Sequence, residues 1–234
     1  VSCTLKGVAG APGMTMGQAV MISHGISLHS VPDKKIFGLD AVNKEIDTFN
    51  QAIGQVKQSL REQARRMQQV LPAEEAALFT AYAQMLDSGS LLDDTHKRIE
   101  QGDWAPTAWR KTIDEHCDIF ASMEDEYLAQ RAGDIRDLGR RVLQILMSKQ
   151  VSERVYPDQF ILVGEEISAT DMAEVPLQGL KAIISEHGSS SSHVAILARA
   201  MGLPAVMGVG DLPVGRLEGR ELIVDGYLGR ILVQ

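Results

Sequence analysis

Leu180-Lys181-Ala182-Ile183-Ile184-Ser185-Glu186-His187-Gly188-Ser189-Ser190-Ser191-Ser192-His193-Val194-Ala195-Ile196-Leu197-Ala198-Arg199 is the stretch on which the reading of this chain turns. Its first part, Leu180 to Ile184, is apolar and ends on a β-branched pair, the mark of a buried strand. A glycine and four serines follow, and apolar residues then recur at helical spacing from His193 onward. Strand, small-residue loop and helix start together make an anion site. The first turn of a helix carries unpaired N–H groups and the positive end of the dipole, and serine hydroxyls add donors. A histidine placed there can act as a nucleophile whose phosphorylated form the same donors stabilise. The residues also suit an ordinary helix start, with Ser192 as cap and an exposed histidine in the first turn. Spacing alone leaves both readings open.

Working outward, the pattern after Gln150 is one of short strands: Phe160-Ile161-Leu162-Val163, Leu180 to Ile184, Pro204 to Gly208, Glu221 to Asp225 and Arg230 to Val233. Short strands between helices and glycine turns predict a compact α/β unit. Residues 1 to 30 alternate glycine with small apolar residues and read as a loop feeding a strand, with Pro12-Gly13 as a turn. Between these two regions the pattern is helical. Val42, Ile46, Phe49, Ile53, Val56, Leu60, Ala64 and Met67 recur at steps of mostly four and three, the spacing of a long amphipathic helix that Pro72 ends. A second helix runs through Leu78, Ala81 and Met85, and a third from about Leu91 to Gln101 with Gly102 as its stop. Pro106 opens a long helical stretch with Trp109, Ile113, Cys117, Phe120 and Tyr127 on one face, continuing through Ile135, Leu138, Val142 and Ile145. Short connections imply antiparallel neighbours and a bundle. The expected organisation is thus α/β plus all-α: an α/β subdomain of residues 1–32 and 150–234, with a helical bundle inserted at 33–149.

With 234 residues, 44% of them hydrophobic and 23% charged, there is ample material for a core. A formal net charge of −8 argues against nucleic-acid binding and allows a basic protein partner. No apolar run reaches the roughly 20 residues needed to span a bilayer, and no signal peptide is visible, so a cytoplasmic location is expected. Cys3 and Cys117 make neither a disulfide framework nor a metal site. A chain that opens on Val1 and closes on Gln234 suggests a domain excised from something longer.

The string Gly188 to Gly208, Gly-Ser-Ser-Ser-Ser-His-Val-Ala-Ile-Leu-Ala-Arg-Ala-Met-Gly-Leu-Pro-Ala-Val-Met-Gly, resembles the phosphohistidine signature of the PEP-utilising enzymes. These comprise Enzyme I of the phosphotransferase system, pyruvate phosphate dikinase and PEP synthase. Asp125-Glu126-Tyr127-Leu128-Ala129-Gln130-Arg131-Ala132-Gly133-Asp134-Ile135-Arg136-Asp137-Leu138-Gly139-Arg140-Arg141 is similar to a helical segment of Enzyme I that the dikinases and synthases lack. Together they select Enzyme I, and its nitrogen branch is the preferred assignment.

The resemblance implies a compact α/β phosphohistidine (swivelling) subdomain carrying an inserted antiparallel bundle. His193 would be phosphorylated at Nε2, and a hydroxyl on the loop after the preceding strand would bond Nδ1. In Glu165-Glu166-Ile167-Ser168-Ala169-Thr170-Asp171-Met172-Ala173, Ser168 falls at that position, with Thr170 as its competitor and helix capping as the alternative for both. Ser191 and Ser192 would donate to the phosphate. Ser189 stands where the family has a second glycine, which matters if the loop needs φ > 0 there. Arg199, six residues past His193, is given a structural role or one in the PEP-bound state, and the glycines near the N-terminus a structural one.

The helical subdomain would dock an HPr-like phosphocarrier, NPr by preference or HPr, through Phe79, Tyr82, Met85 and Arg131. No cofactor or metal is expected in this part; PEP and Mg2+ would belong to an absent C-terminal domain, through which the parent would form a homodimer. The implied activity is that of a phosphotransferase acting between His193 and the carrier's histidine. The alternatives are the phosphohistidine domain of a dikinase or synthase, and a binding module regulated by His193 phosphorylation.

Overall fold

The computed structural model describes residues 3–22, 24, 26–87, 89–147 and 154–234. The chain divides into two compact units, one of Val1–Ser23, Arg65–Ala77 and Glu153–Gln234, the other of His24–Ala64 and Leu78–Ser152.

The first unit is built on an eight-stranded sheet. Its strands are β1 (Cys3–Lys6), β2 (Val8–Ala11), β3 (Met14–Met21), β4 (Phe160–Gly164), β5 (Leu180–Ser185), β6 (Ala205–Met207), β7 (Glu221–Asp225) and β8 (Arg230–Val233), in the order β1-β8-β7-β3-β4-β5-β6-β2. β3 to β6 run parallel and the remaining pairs antiparallel. Phe160 to Val163 are fully buried, which explains the unbroken apolar run: a strand central to a parallel sheet has both faces covered. The helices that return the chain between parallel strands are α6 (Ala169–Glu174) and α7 (His193–Ala200), and a short α8 (Val214–Leu217) precedes β7.

The opening residues form three strands where the sequence suggested a loop and one. Val8-Ala9-Gly10-Ala11 carries little of the bulk that marks a strand, and its small residues have a packing reason. A Cβ on Gly10 would lie 2.7 Å from Cγ of Met207 on the paired strand β6. Gly13 turns the chain at φ +133°.

The second unit is helical. It holds the greater part of α1 (Leu39–Met67) and of α2 (Ala73–Met85), with α3 (Ser90–Glu100), α4 (Ala105–Ala121) and α5 (Glu126–Leu146). The periodicity located α1 to α3 well, and Gly102 takes the positive φ of a helix stop. The long stretch from Pro106 is two helices. Asp125 caps α5, its carboxylate accepting from the N–H groups of Tyr127 and Leu128 at 2.8 and 3.4 Å. That break swings Tyr127 off the apolar stripe of α4, and its side chain is 71% exposed. Among the described residues no helix is long and apolar enough to cross a membrane.

Asp103 lies just before α4, 4% exposed, and takes ammonium donors from Lys35 and from Lys111, the latter at 3.3 Å. Burial pushes its carboxyl up, but the two lysine hydrogen bonds and charges outweigh burial and hold it below the usual carboxylate range. A depressed folded-state value gives stability that is present above the unfolded value, about 3.9, and is lost as pH falls through the folded one. Asp103→Asn is therefore expected to cost about 1–3 kcal/mol at neutral pH. It should also flatten the acid limb of the stability profile below about pH 4. An acid limb identical to that of the parent chain would contradict the assignment.

Candidate functional site

β4 and β5 run parallel, so the loops after them leave from the same edge of the sheet, the carboxyl end where α/β proteins place their sites. The two loops are tied together. Glu186 N donates to Gly164 O at 3.0 Å, His187 N to Glu165 O at 2.9 Å, and Ser185 Oγ to the same Glu165 carbonyl at 3.3 Å. Gly188 turns the second loop at φ +107°, and a Cβ there would lie 2.9 Å from Cε of Met207. Only glycine suits both conditions.

The serine loop closes on itself. Ser192 Oγ donates to Ser189 O at 2.8 Å, Ser192 N donates to the same oxygen at 3.2 Å, and the hydroxyls of Ser189 and Ser191 are 2.9 Å apart. Ser189 needs no glycine, because Asp211 is the one non-glycine residue with positive φ among those described. Ser192 is the N-cap of α7, its hydroxyl also accepting from Ala195 N at 3.4 Å. Its proton is thus engaged within the loop, whereas Ser191 is exposed. His193 is the first residue of α7 and half-buried, with its backbone at the positive end of that helix.

Ser168 is the N-cap of α6. It accepts from Asp171 N at 3.0 Å while the Asp171 carboxylate accepts from Ser168 N at 2.9 Å, a complete capping box. The Ser168 hydroxyl lies 3.0 Å from Thr170 Oγ1, and Thr170 is fully buried. The two hydroxyls that the sequence offers as partners for the histidine are thus partners of each other.

In the helical unit, Phe79 is 0% and Tyr82 4% exposed, so these two are core residues and not a surface for a partner. Their rings meet edge-on at 6.3 Å. Tyr82 Oη donates to Asp134 Oδ1 at 3.0 Å, and burial, then the Asp134 charge, push its phenol up, so it stays a donor. An aromatic pair on a helix reads equally as an anchor or as core, and here the interior won. Met85 and Arg131 are half-buried and Gln84 is exposed.

Arg199 is the residue whose importance spacing concealed. Its Nη1 donates to Ser190 O at 2.8 Å and to Gly10 O at 2.5 Å. The signal was the direction of helical side chains, which lean toward the N-terminus over the preceding turns.

The family signature described as PEP-utilising enzyme, N-terminal, matches residues 6–131, and that described as PEP-utilising enzyme, mobile domain, matches residues 156–229. A "Phosphoenolpyruvate-dependent phosphotransferase system" protein of Salmonella typhimurium is 35% identical over 81% of this chain and 25% of its own length. A phosphoenolpyruvate-protein phosphotransferase of Staphylococcus carnosus is 26% identical over 98% of this chain and 39% of its own. The chain thus spans between a quarter and two fifths of these relatives. Among solved structures, the N-terminal domain of Enzyme 1 - Nitrogen matches with TM-score 0.66 and 32% identity, over 98% of this chain and 93% of that one. An Enzyme I (nEIt) solution structure matches with TM-score 0.76 and 26% identity, over 98% and 92%. Signatures that cover both the helical block and the serine loop, with full-length structural likeness, place the chain in a family: it belongs to the PEP-utilising enzymes, as a homologue of the N-terminal domain of phosphotransferase-system Enzyme I.

Proposed function

We propose that this domain carries a phosphoryl group on Nε2 of His193 and exchanges it with the active-site histidine of an HPr-like carrier. The observation that carries the reading is the position of His193, at the start of α7 and behind a closed serine loop, within the matched mobile domain. Phosphoryl transfer asks a protein mainly for position and charge stabilisation. The lone pair of Nε2 attacks phosphorus in line as the donor's N–P bond breaks, and the donor ring leaves with that electron pair. Each ring keeps the proton on its other nitrogen, so charge balances and the step is reversible. The Ser168–Thr170 hydroxyl pair on the neighbouring loop would hold the Nδ1 side. Ser191 and the first-turn amides would take the phosphate oxygens, while Ser192 shapes the loop. Such a histidine-to-histidine step calls on no metal here. PEP and magnesium would act on the remainder of the parent chain.

The carrier would dock on the helical unit around Gln84, Met85 and Arg131, supported by Phe79 and Tyr82 from beneath. NPr is the preferred carrier, on the strength of the 32% identity to the nitrogen-branch structure over nearly the whole domain. The domain is expected to take acid-labile phosphate faster from phosphorylated NPr than from phosphorylated HPr, measured on the isolated chain. A faster reaction with HPr would keep the chemistry and move the protein to the sugar branch. No transfer from either carrier to a folded chain would overturn the reading.

A further inference from the structure

We propose that Arg199 is a positioning residue for phosphoryl transfer: it pins the Ser190 carbonyl away from the phosphate and so sets the donors of the serine loop. This rests on the assignment of His193 as phosphoacceptor.

Three contacts carry it. Arg199 Nη1 bridges two backbone carbonyls, Ser190 O at 2.8 Å in the loop and Gly10 O at 2.5 Å in β2. Ser190 and Ser191 share a trans peptide, so a carbonyl turned to the guanidinium turns the Ser191 N–H to the opposite side. There its bond to Ser189 Oγ is long, at 3.3 Å, and readily exchanged for a phosphate oxygen. A flipped peptide would instead point a carbonyl oxygen at a dianion, which repels it. The charged donor makes the flip expensive, because hydrogen bonds from an ionised group are about twice as strong as neutral ones.

The anchor at the other end is firm. Gly10 is buried, and β2 is paired with β6 through Val8, Ala9 and Ala11. Arg199 lies about 9 Å along the helix from His193, six residues at 1.5 Å each. It leans back over those turns, so it acts on the reacting ring only through the loop. Its guanidinium is therefore a brace between a sheet strand and the middle of the serine loop. Its charge adds a favourable field for the anion that forms nearby.

The test compares Arg199→Met, which keeps the aliphatic stem and loses every donor, with Arg199→Lys and with His193→Ala. Transfer from phosphorylated NPr is followed per folded molecule, together with the 31P shift and the hydrolytic half-life of the phosphohistidine. The expected result is a fall in kcat of about 10- to 100-fold with KM for the carrier within twofold. A displaced 31P signal should accompany it, and lysine should restore part of the rate. A residue that merely supports the fold would lower the thermal midpoint and leave kcat, lifetime and 31P shift of the folded fraction unchanged. That outcome overturns the inference, while the inactivity of His193→Ala would leave the phosphotransfer reading standing. Absence of phosphate on the parent chain itself would overturn both. Should the methionine variant not fold, Arg199→Gln, too short to span the two carbonyls, is scored by the same rates.

Discussion

His193→Ala is expected to take up no acid-labile phosphate from any phosphorylated carrier, while its thermal midpoint moves by no more than a few degrees. The loss is total because no neighbouring group can substitute. His187 lies on the loop at the other end of the serine run, exposed and with its backbone N–H committed to Glu165 O. The loop hydroxyls of Ser189, Ser191 and Ser192 hydrogen-bond within the loop, and a serine hydroxyl is a weak nucleophile at its own pKa. The small effect on stability follows from position. His193 is the first residue of α7, where its backbone N–H is one of the four that no helix satisfies, and the cap is supplied by Ser192 and not by the ring. Carrier affinity should survive, since it would rest on the helical unit. A variant that still accumulates histidine-bound phosphate would place the acceptor elsewhere, and peptide mapping would find it.

The serine loop and its flanking strand and helix were legible because each element declares itself locally. β5 is written as a buried apolar run, the loop as glycine and serine, and α7 as an apolar period that begins at a capping serine. The helices α1 to α3 were legible for the same reason. What the sequence hid was what depends on long-range neighbours. Gly10 and Ala11 carry no strand signal of their own, and become strand because β6 offers an edge to pair with, where a Cβ on Gly10 would meet Met207. Phe79 and Tyr82 resemble an exposed anchor until Asp134, 52 residues beyond Tyr82, supplies the buried phenol with its acceptor. By pattern alone Asp125 lies within a continuing helix, because periodicity runs through Ser122 to Asp125 without a glycine or proline to interrupt it. The competing force is a side-chain cap, which acts over two or three residues and leaves the period intact on both sides. Arg199 belongs to the same class: counting turns puts it away from the histidine, while its side chain returns to the loop.

Trp109→Ala is expected to destabilise the helical unit by about 3–5 kcal/mol, the range for emptying a large buried aromatic site. Trp109 is fully buried, tilts against Phe49 with ring centroids 5.5 Å apart, and donates from Nε1 to Gly139 O at 2.9 Å. Gly139 is there because α4 comes close: a Cβ at that position would lie 3.0 Å from two side-chain carbons of Ile113. The indole thus fills the space between α4, α5 and α1 and fixes the register of the first two at one point. Trp109→Phe separates the contributions. It keeps most of the volume and removes the donor, and since Gly139 O still has its place in the α5 ladder, the cost should be about 1 kcal/mol. The measurement is denaturant unfolding followed by far-UV circular dichroism, which weights the helices. A loss below about 1 kcal/mol for alanine would mean that neighbouring side chains collapse into the site, and that the α4–α5 pair is not held by this residue. If the helical unit is where the carrier docks, Trp109→Ala should also weaken carrier binding. Yet it should leave the phosphohistidine, once formed, as long-lived as in the parent chain. That contrast with the Arg199 variants would assign recognition to the helical unit and chemistry to the serine loop.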